Sequence, residues 1–160
     1  MRRTSVRDVH CSIAQCLEVV GDWWTILILR DVFLGARRFD EIQGRLGIAR
    51  NVLAQRLDLL VEHDVLTRRA YQERPLRHEY VLTERGRDLW PVLTAMRQWG
   101  DTWAAPDGPP VEVVHETCGQ RTQVVPTCGV CGEALQATTW RSVAGPGADS
   151  STPLPRPGRS

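Results

Sequence analysis

The sequence predicts a mainly α-helical fold with a small β-hairpin, followed by a short appendage that carries cysteine and histidine. Apolar residues recur at helical spacing over most of residues 1–105, and two short strand-like segments flank Pro75. Three of the five cysteines lie in residues 106–141, which open with a Pro/Gly-rich linker. Residues 142–160 are rich in Gly, Pro and Ser, which predicts a disordered tail. A chain of 160 residues can hold one ordinary domain with such an addition.

The first two helices are predicted from their end signals and their apolar content. Residues 12–20 form a short helix that Gly21 ends. Asp22 caps the next helix, which runs to Phe33, is apolar on nearly every side and ends at Gly35. A helix of that kind is buried, either in the core or partly against a partner subunit.

A short helix and a longer amphipathic helix come next, with a sharp turn between them. Phe39, Ile42 and Leu46 stand at positions i, i+3 and i+7, and Gly47 closes this helix. Residues 49–63 form the longer helix, whose apolar stripe consists of Leu53, Leu57, Leu60 and Val61. This order predicts a helix-turn-helix pair.

Two short strands are predicted after that pair, at residues 65–71 and 78–82, with Pro75 in the turn. Four arginines and one acid give residues 68–77 a local charge of +3; the arginines are Arg68, Arg69, Arg74 and Arg77. A basic hairpin beside a helix-turn-helix is typical of the wing of a winged helix, which lies over the DNA backbone or minor groove.

A final long helix is predicted from its cap, Thr83, to about Trp103, with Pro91 bending it or loosening its first turns. Its apolar side offers more surface than a small domain needs for its own core, which predicts a homodimer. The predicted dimer interface comprises Trp23, Leu89, Leu93, Met96, Trp99 and Trp103. The alternative is that the apolar side chains of the final helix pack on the helix at residues 23–33.

The DNA contacts follow from the winged helix-turn-helix interpretation. The N-terminal side chains of the second helix contact base edges in the major groove, and here they are Arg50, Asn51 and Gln55. Arginine suits guanine, and the two amides suit adenine. Phosphate contacts are predicted for Arg37, Arg38 and the four wing arginines. The alternative is that these arginines form a solvated surface and that the hairpin is an ordinary β-turn.

Composition narrows the function classes. The net charge is +1, so any surface that attracts nucleic acid has to be local. The apolar run around residues 23–29 is too short to cross a bilayer, and five unevenly spaced cysteines argue against a disulfide framework. We therefore expect no membrane partner and a reducing cytoplasm as the location. No catalytic triad, carboxylate pair or phosphate-binding loop is visible, which argues against an enzyme.

Several motifs together resemble the HxlR family of MarR-like winged-helix regulators in bacteria. They are Cys11-Ser12-Ile13, Gly21-Asp22-Trp23-Trp24, Arg38-Phe39-Asp40-Glu41-Ile42, the segment from Gly47 to Leu53, and Tyr80-Val81-Leu82-Thr83. The resemblance covers roughly residues 9–104 and implies a homodimer that binds a pseudo-palindromic operator. The chain departs from the family in two ways: Ala49 stands where a Ser or another capping residue is usual, a loss of ~1 kcal/mol, and the chain continues past the family core.

Cys11 begins the first helix and matches the position at which several members of the family sense oxidants or electrophiles. A helix N-terminus favours the reactive thiolate. Cys16 follows five residues later, off the same face, so an adduct or an intersubunit disulfide fits a switch better than a Cys11–Cys16 bond. The alternative is that Cys11 is a small packing residue.

The appendage carries a possible ligand set for one structural Zn²⁺: His115, Cys118, Cys128 and Cys131. The set consists of an HxxC and a CxxC, each followed by glycine, with nine residues between Cys118 and Cys128. Three thiolates and one imidazole would form a closed, zinc-knuckle-like site. A thioredoxin-type redox CxxC and a set of free thiols are the alternatives.

The function that the sequence favours is a DNA-binding transcriptional regulator that responds to an unidentified small molecule or oxidant. The second hypothesis is an adaptor that uses zinc to bind protein or RNA and dimerises through its helices. The third is a thiol oxidoreductase that uses Cys128 and Cys131.

Overall fold

The computed structural model describes residue 6 and residues 8–154. Residues 1–5, 7 and 155–160 lie outside it, so the start of the predicted domain at 1–105 and the end of the predicted tail at 142–160 are not described. The chain divides into two compact units, Met1–Trp90 and Pro91–Ser160. The boundary falls after Trp90, at the start of the last long helix, whereas the sequence predicted it near residue 105.

Unit 1 contains a helical part and a β-hairpin. Its elements, in chain order, are α1 (Ser12–Val20), α2 (Trp23–Phe33), α3 (Phe39–Leu46), α4 (Arg50–Glu62), β1 (Leu66–Glu73), β2 (Leu76–Leu82) and α5 (Glu84–Arg87). The first four helices agree with the prediction to within one residue at each end. Asp22 caps α2 as expected, since its carboxylate accepts a hydrogen bond of 3.0 Å from the Trp24 N–H. Gly47 ends α3 in the left-handed conformation, at φ 62°.

The core of unit 1 forms around α2, which packs against α1, α3, α4 and β2. Its buried apolar residues are Ala14, Val20, Ile28, Leu29, Val32, Ala36, Ile42, Ile48, Leu53, Leu57, Leu60, Val65, Leu66 and Tyr80. The expected burial of α2 is thus confirmed for its later turns. Its first residue, Trp23, is 74% exposed and belongs to the predicted dimer interface.

The hairpin is longer than the sequence predicted. β1 and β2 pair antiparallel from Leu66 opposite Leu82 to Glu73 opposite Leu76, with an irregularity between Ala70 and Gln72. Only Arg74 and Pro75 remain in the turn. Proline has no N–H to donate, but a turn position requires no hydrogen bond to the opposite strand.

The predicted long final helix is wrong: it is two helices, α5 and α6 (Trp90–Trp103). Pro91 explains the break, because it has no N–H to donate to the carbonyl four residues earlier and its ring clashes there. Thr83 caps the short α5 by accepting a hydrogen bond from the Gly86 N–H at 3.0 Å. Gly86 has to be a glycine, because a Cβ there would lie 2.1 Å from the Val65 carbonyl oxygen.

Unit 2 consists of most of α6 and a little strand structure. β3 (Val114–His115) and β4 (Gln120–Arg121) form an antiparallel pair, and an isolated bridge joins Thr127 to Ala134. Among the described residues of this unit, Thr94 alone is buried. Residues 142–154 contain neither helix nor strand.

Within the described part of the chain, no single helix has the length and apolar content to cross a membrane. The pair α1 and α2 meets those criteria only when taken together, and the two helices are bent by 76° at their junction.

Candidate nucleic-acid interface

The amphipathic character of α4 is as the sequence predicted. Leu53, Leu57 and Leu60 are fully buried. The three predicted base-reading residues, Arg50, Asn51 and Gln55, are all exposed. The helix begins without a side-chain cap, because Ala49 at the N-cap position has no hydrogen-bonding group. The apolar stripe therefore fixes which side of α4 is left open to a partner.

An ion pair fixes α4 to the start of α2. The Arg56 guanidinium lies 2.9 Å from the Asp22 carboxylate, and both side chains are mostly shielded from water. Asp22 also caps α2, so one carboxylate serves both helices. The sequence identified the cap, but the partner on α4 lies 34 positions away and no local pattern indicates it.

The segment before α3 is attached to the second strand of the hairpin. The Tyr80 N–H donates to the Arg37 carbonyl at 2.7 Å, and the backbones of Arg38 and Glu79 form an isolated antiparallel β-bridge. The Arg38 guanidinium lies 4.5 Å from the centre of the Tyr71 ring, a cation–π contact. These contacts place the predicted phosphate-binding arginines of this segment beside the wing.

The four wing arginines differ in their partners. Arg68 forms an ion pair with Asp58 of α4, and the Arg69 Nε donates to Glu79 at 2.6 Å. Arg74 and Arg77 are exposed and form no ion pair with any residue that the structure describes. The charge that is free to meet phosphate is therefore concentrated near the tip of the wing.

Arg50, the first residue of α4, rests on α3. Its guanidinium lies 4.7 Å from the centre of the Phe39 ring and 3.5 Å from the Asp40 carboxylate. Sequence reasoning missed Phe39 and Asp40 as functional residues, as it missed Tyr71 and Glu79. No local pattern indicates these contacts, because each joins residues of two different elements.

A cleft of about 670 Å³ lies between the wing and the two helices. It collects Arg38, Arg50 and Arg77 from three different elements, with aromatic walls that include Phe39 and Tyr71. The other predicted phosphate-contacting residues, Arg37, Arg68, Arg69 and Arg74, lie outside its lining. Asp40 and Glu41 also line the cleft, but the three arginines leave it net positive, so it can receive a polyanion along one side of unit 1.

One acid at this surface is held in its charged form. Glu41 accepts a hydrogen bond from the Arg37 backbone N–H at 3.1 Å, and Arg45 lies 2.8 Å away one turn later. These contacts, the backbone hydrogen bond above all, hold the pKa of Glu41 below its ordinary value.

Comparison with known proteins agrees with this arrangement. The family model of the HxlR-like helix-turn-helix matches residues 19–108. The chain belongs to this family. It is 44% identical over 137 residues to the uncharacterized HTH-type transcriptional regulator Rv3095 of Mycobacterium tuberculosis H37Rv, and the match covers 85% of this chain and 87% of that one.

Solved structures show the same likeness. PA1607, named as a candidate transcription factor, superposes with a TM-score of 0.78 at 41% identity, covering 89% of this chain and all of that one. The redox regulator HypR in its reduced form gives a TM-score of 0.55 at 29% identity, covering 57% and 92%. The HxlR-like chain is therefore a helix-turn-helix transcriptional regulator with a mainly helical fold and a small hairpin.

The predicted dimer residues of this HxlR-like regulator are mostly open to solvent. Trp23, Met96, Trp99 and Trp103 are between 51% and 74% exposed, while Leu89 and Leu93 are half-buried. Leu89 and Trp23 belong to unit 1, and the others lie on α6 in unit 2.

The predicted sensor, Cys11, stands at the N-cap position of α1. Its thiol is free and half-buried, and it makes no capping hydrogen bond. Cys16 is also a free thiol, exposed on the same helix.

The predicted zinc ligands lie in unit 2 as two pairs. His115 Nδ1 lies 3.3 Å from the Cys118 sulfur. The backbone N–H groups of Cys131 and Val130 reach the Cys128 sulfur and lower the pKa of that thiol. Across the described residues, no three His, Cys, Asp or Glu side chains stand together as metal ligands. The four-ligand set of the sequence prediction is thus not assembled.

Proposed function

We propose that this regulator binds a pseudo-palindromic operator as a homodimer, with α4 of each subunit in a major groove. One observation carries the proposal: Arg50, Asn51 and Gln55 are exposed at the start of α4, beside a cleft that also presents Arg38 and Arg77. Base-reading and phosphate-binding groups therefore share one side of unit 1.

The roles divide by chemistry. Arg50 suits the O6 and N7 of guanine, and Asn51 and Gln55 suit the N6 and N7 of adenine, each good pair giving about 1–3 kcal/mol of discrimination. Arg74 and Arg77 at the wing tip contact phosphates and contribute affinity without sequence preference. Arg68 and Arg69 contribute less, because each already neutralises an acid of this chain.

A second copy supplies the symmetry that the operator needs. Two reading helices have to lie about 34 Å apart to enter successive major grooves. The exposed apolar side chains on one side of α6, Met96, Trp99 and Trp103, form a surface that a soluble monomer seldom leaves open. We assign this surface, together with Trp23, to the dimer interface.

Thiol chemistry at Cys11 would control this binding. HypR, a structural neighbour of this chain, is named a redox regulator. Cys11 begins α1, α1 packs on α2, and Asp22 at the start of α2 holds Arg56 of the reading helix. An adduct that displaces α1 would thereby reach α4 through two adjoining contacts. The effector is an oxidant or electrophile.

Fluorescence anisotropy with the intergenic DNA upstream of the gene tests the proposal. Wild-type protein should bind one duplex with an affinity that falls steeply with added salt, because arginines displace counterions. Arg50→Ala should lose discrimination at one operator position. Arg85→Ala is the matched control, an exposed arginine on α5 that does not line the cleft, and it should bind as the wild type does. Equal losses from both variants would contradict the role of Arg50.

The thiol response needs its own measurement. A diamide- or quinone-treated sample should release the operator, while Cys11→Ser should keep it under the same treatment. Operator release by treated Cys11→Ser would remove Cys11 from the mechanism and leave the DNA-binding proposal in place.

A further inference from the structure

Two turns of the appendage have the same backbone design. One is His115-Glu116-Thr117-Cys118-Gly119, and the other is Cys128-Gly129-Val130-Cys131-Gly132. In each, the N–H of the final glycine donates to the carbonyl of the first residue, at 2.8 Å and 2.9 Å. Both final glycines are left-handed, with φ of 67° and 74°, a conformation that other residues seldom adopt.

Strand pairing frames both turns. The first lies between β3 and β4, and the second is spanned by the bridge from Thr127 to Ala134 and by the Cys128 N–H, which donates to the Glu133 carbonyl at 2.8 Å. Each turn therefore presents its first and fourth side chains from one side of a tight hairpin. In the first turn those side chains already touch, His115 to Cys118.

The appendage has little else to stabilise it. From residue 95 to 154 the structure describes no buried side chain, whereas unit 1 is built around a continuous apolar core. Ordering a residue costs about 1–2 kcal/mol of backbone entropy, which exposed turns do not recover. Short segments of this kind commonly obtain their folding free energy from a bound metal.

We propose that the two turns are the halves of one zinc site, in which His115, Cys118, Cys128 and Cys131 hold a single ion tetrahedrally. The structure holds the donors as two pairs, with no group of three or more among its described residues, and the ion closes the halves on each other. Nine residues link Cys118 to Cys128, a span that lets the second turn fold back on the first.

The binding step balances without a redox partner. Zn²⁺ forms three Zn–S bonds and one Zn–N bond, and the three thiols release three protons to solvent. Neutral imidazole donates its lone pair, so the site carries a net charge of −1. With four protein ligands it is closed and structural, and this inference is independent of the DNA-binding proposal.

Cobalt tests the site in the full chain, reduced and freed of metal. One equivalent of Co²⁺ should give the intense visible bands of tetrahedral cobalt and a sulfur-to-cobalt charge-transfer band of three thiolates. Zinc should displace it and protect three of the five thiols from a thiol-reactive dye. A weak octahedral spectrum, or one ion per two chains, would overturn the proposal.

Variants locate the ligands. His115→Ala, Cys118→Ser, Cys128→Ser and Cys131→Ser should each lose zinc, while Cys16→Ser, the matched control in α1, should keep one ion per chain. Cys128→His retains a ligand and should keep tetrahedral cobalt with about two-thirds of the charge-transfer intensity, since two of three thiolates remain. Full zinc in Cys128→Ser, or wild-type affinity in both His115→Ala and Cys118→Ser, would contradict the four-ligand site.

Discussion

Different interactions stabilise the fold of unit 1 and the fold of the appendage in unit 2. In unit 1, fourteen apolar residues are buried and α2 contacts four other elements. In the appendage, backbone turns, a two-residue strand pair and an exposed Arg121–Glu112 ion pair hold the chain. The part that presents the predicted DNA-reading residues thus has an apolar core of its own, whereas α6 and the appendage display the groups that we assign to partners: apolar side chains for a second copy and thiols for a metal.

The largest effect that separates the two units is expected from the core. Leu57→Ala removes a fully buried side chain and should lower the free energy of unfolding by about 2–5 kcal/mol. Val130→Ala, at a side chain 97% exposed in the appendage, should change it by less than about 0.5 kcal/mol. Urea unfolding followed by circular dichroism measures both, and comparable losses would show that the appendage has a core of its own.

Removal of a tryptophan from α6 should act on association. Trp99→Ala takes away a large exposed side chain of the proposed interface and should weaken dimerisation by about 2 kcal/mol, as at interface hot spots. Sedimentation equilibrium gives the dimer dissociation constant. Trp140→Ala, which removes an equally large exposed side chain outside that interface, serves as the control. An unchanged constant in Trp99→Ala would place the interface elsewhere.

The pair between α2 and α4 can be broken without loss of the helix cap. Asp22→Asn keeps a good N-cap residue but leaves Arg56 without its counter-charge. Stability should fall by about 1 kcal/mol, and operator affinity should fall with it, because α4 loses an anchor. Ser12→Ala, at an exposed position of α1, is the comparison variant. Normal operator affinity in Asp22→Asn would show that the pair does not position the reading helix.

The wing arginines should differ in the salt dependence of binding. Arg74→Ala should flatten the plot of log affinity against log salt by about 1, because its charge has no ion-pair partner among the residues that the structure describes. Arg68→Ala should change the slope less, since Asp58 already neutralises that arginine. Operator titrations at several salt concentrations provide the slopes. A change of base preference in Arg74→Ala would contradict its assignment to phosphate.

The smallest effect is expected from Glu41 and depends on pH. Because its pKa is lowered in the folded state, the stabilisation is present above the unfolded value near 4.5 and is lost as pH falls through the folded value. Glu41→Gln should therefore be less stable than the wild type near neutral pH and converge with it in acid. Thermal unfolding across that range measures the difference in stability. A difference that widens in acid would mean that folding raises the pKa of Glu41 instead of lowering it.

The sequence predicted the elements that a local periodic pattern of apolar residues indicates, and it missed the features that depend on long-range contacts. The stripe of Leu53, Leu57 and Leu60 determined both the extent of α4 and its exposed side. Pro91 was recognised as a disturbance of one long helix, but not as the point at which that helix divides into α5 and α6. Likewise, the amphipathic pattern of α6 did not show where the unit boundary falls.

The candidate interface shows the same division. All nine predicted DNA-contacting side chains are exposed, as a surface role requires. The pairing of three of them with Asp40, Asp58 and Glu79 could not be read from spacing, because each pair joins two elements. For Arg69, the partner depends on how β1 and β2 are aligned. In the appendage, spacing identified the two pairs of possible metal ligands, but it did not show that the structure holds the two pairs apart.

The contact between Arg50 and the Phe39 ring has a thermodynamic consequence for recognition. A free arginine side chain carries about 2 kcal/mol of rotamer entropy, most of which disappears when its guanidinium is fixed on a base edge. Stacked on an aromatic ring, Arg50 has given up part of that freedom before any duplex arrives, so less is lost on binding. Docking there should carry a smaller entropic penalty than docking of the unsupported arginines at the wing tip.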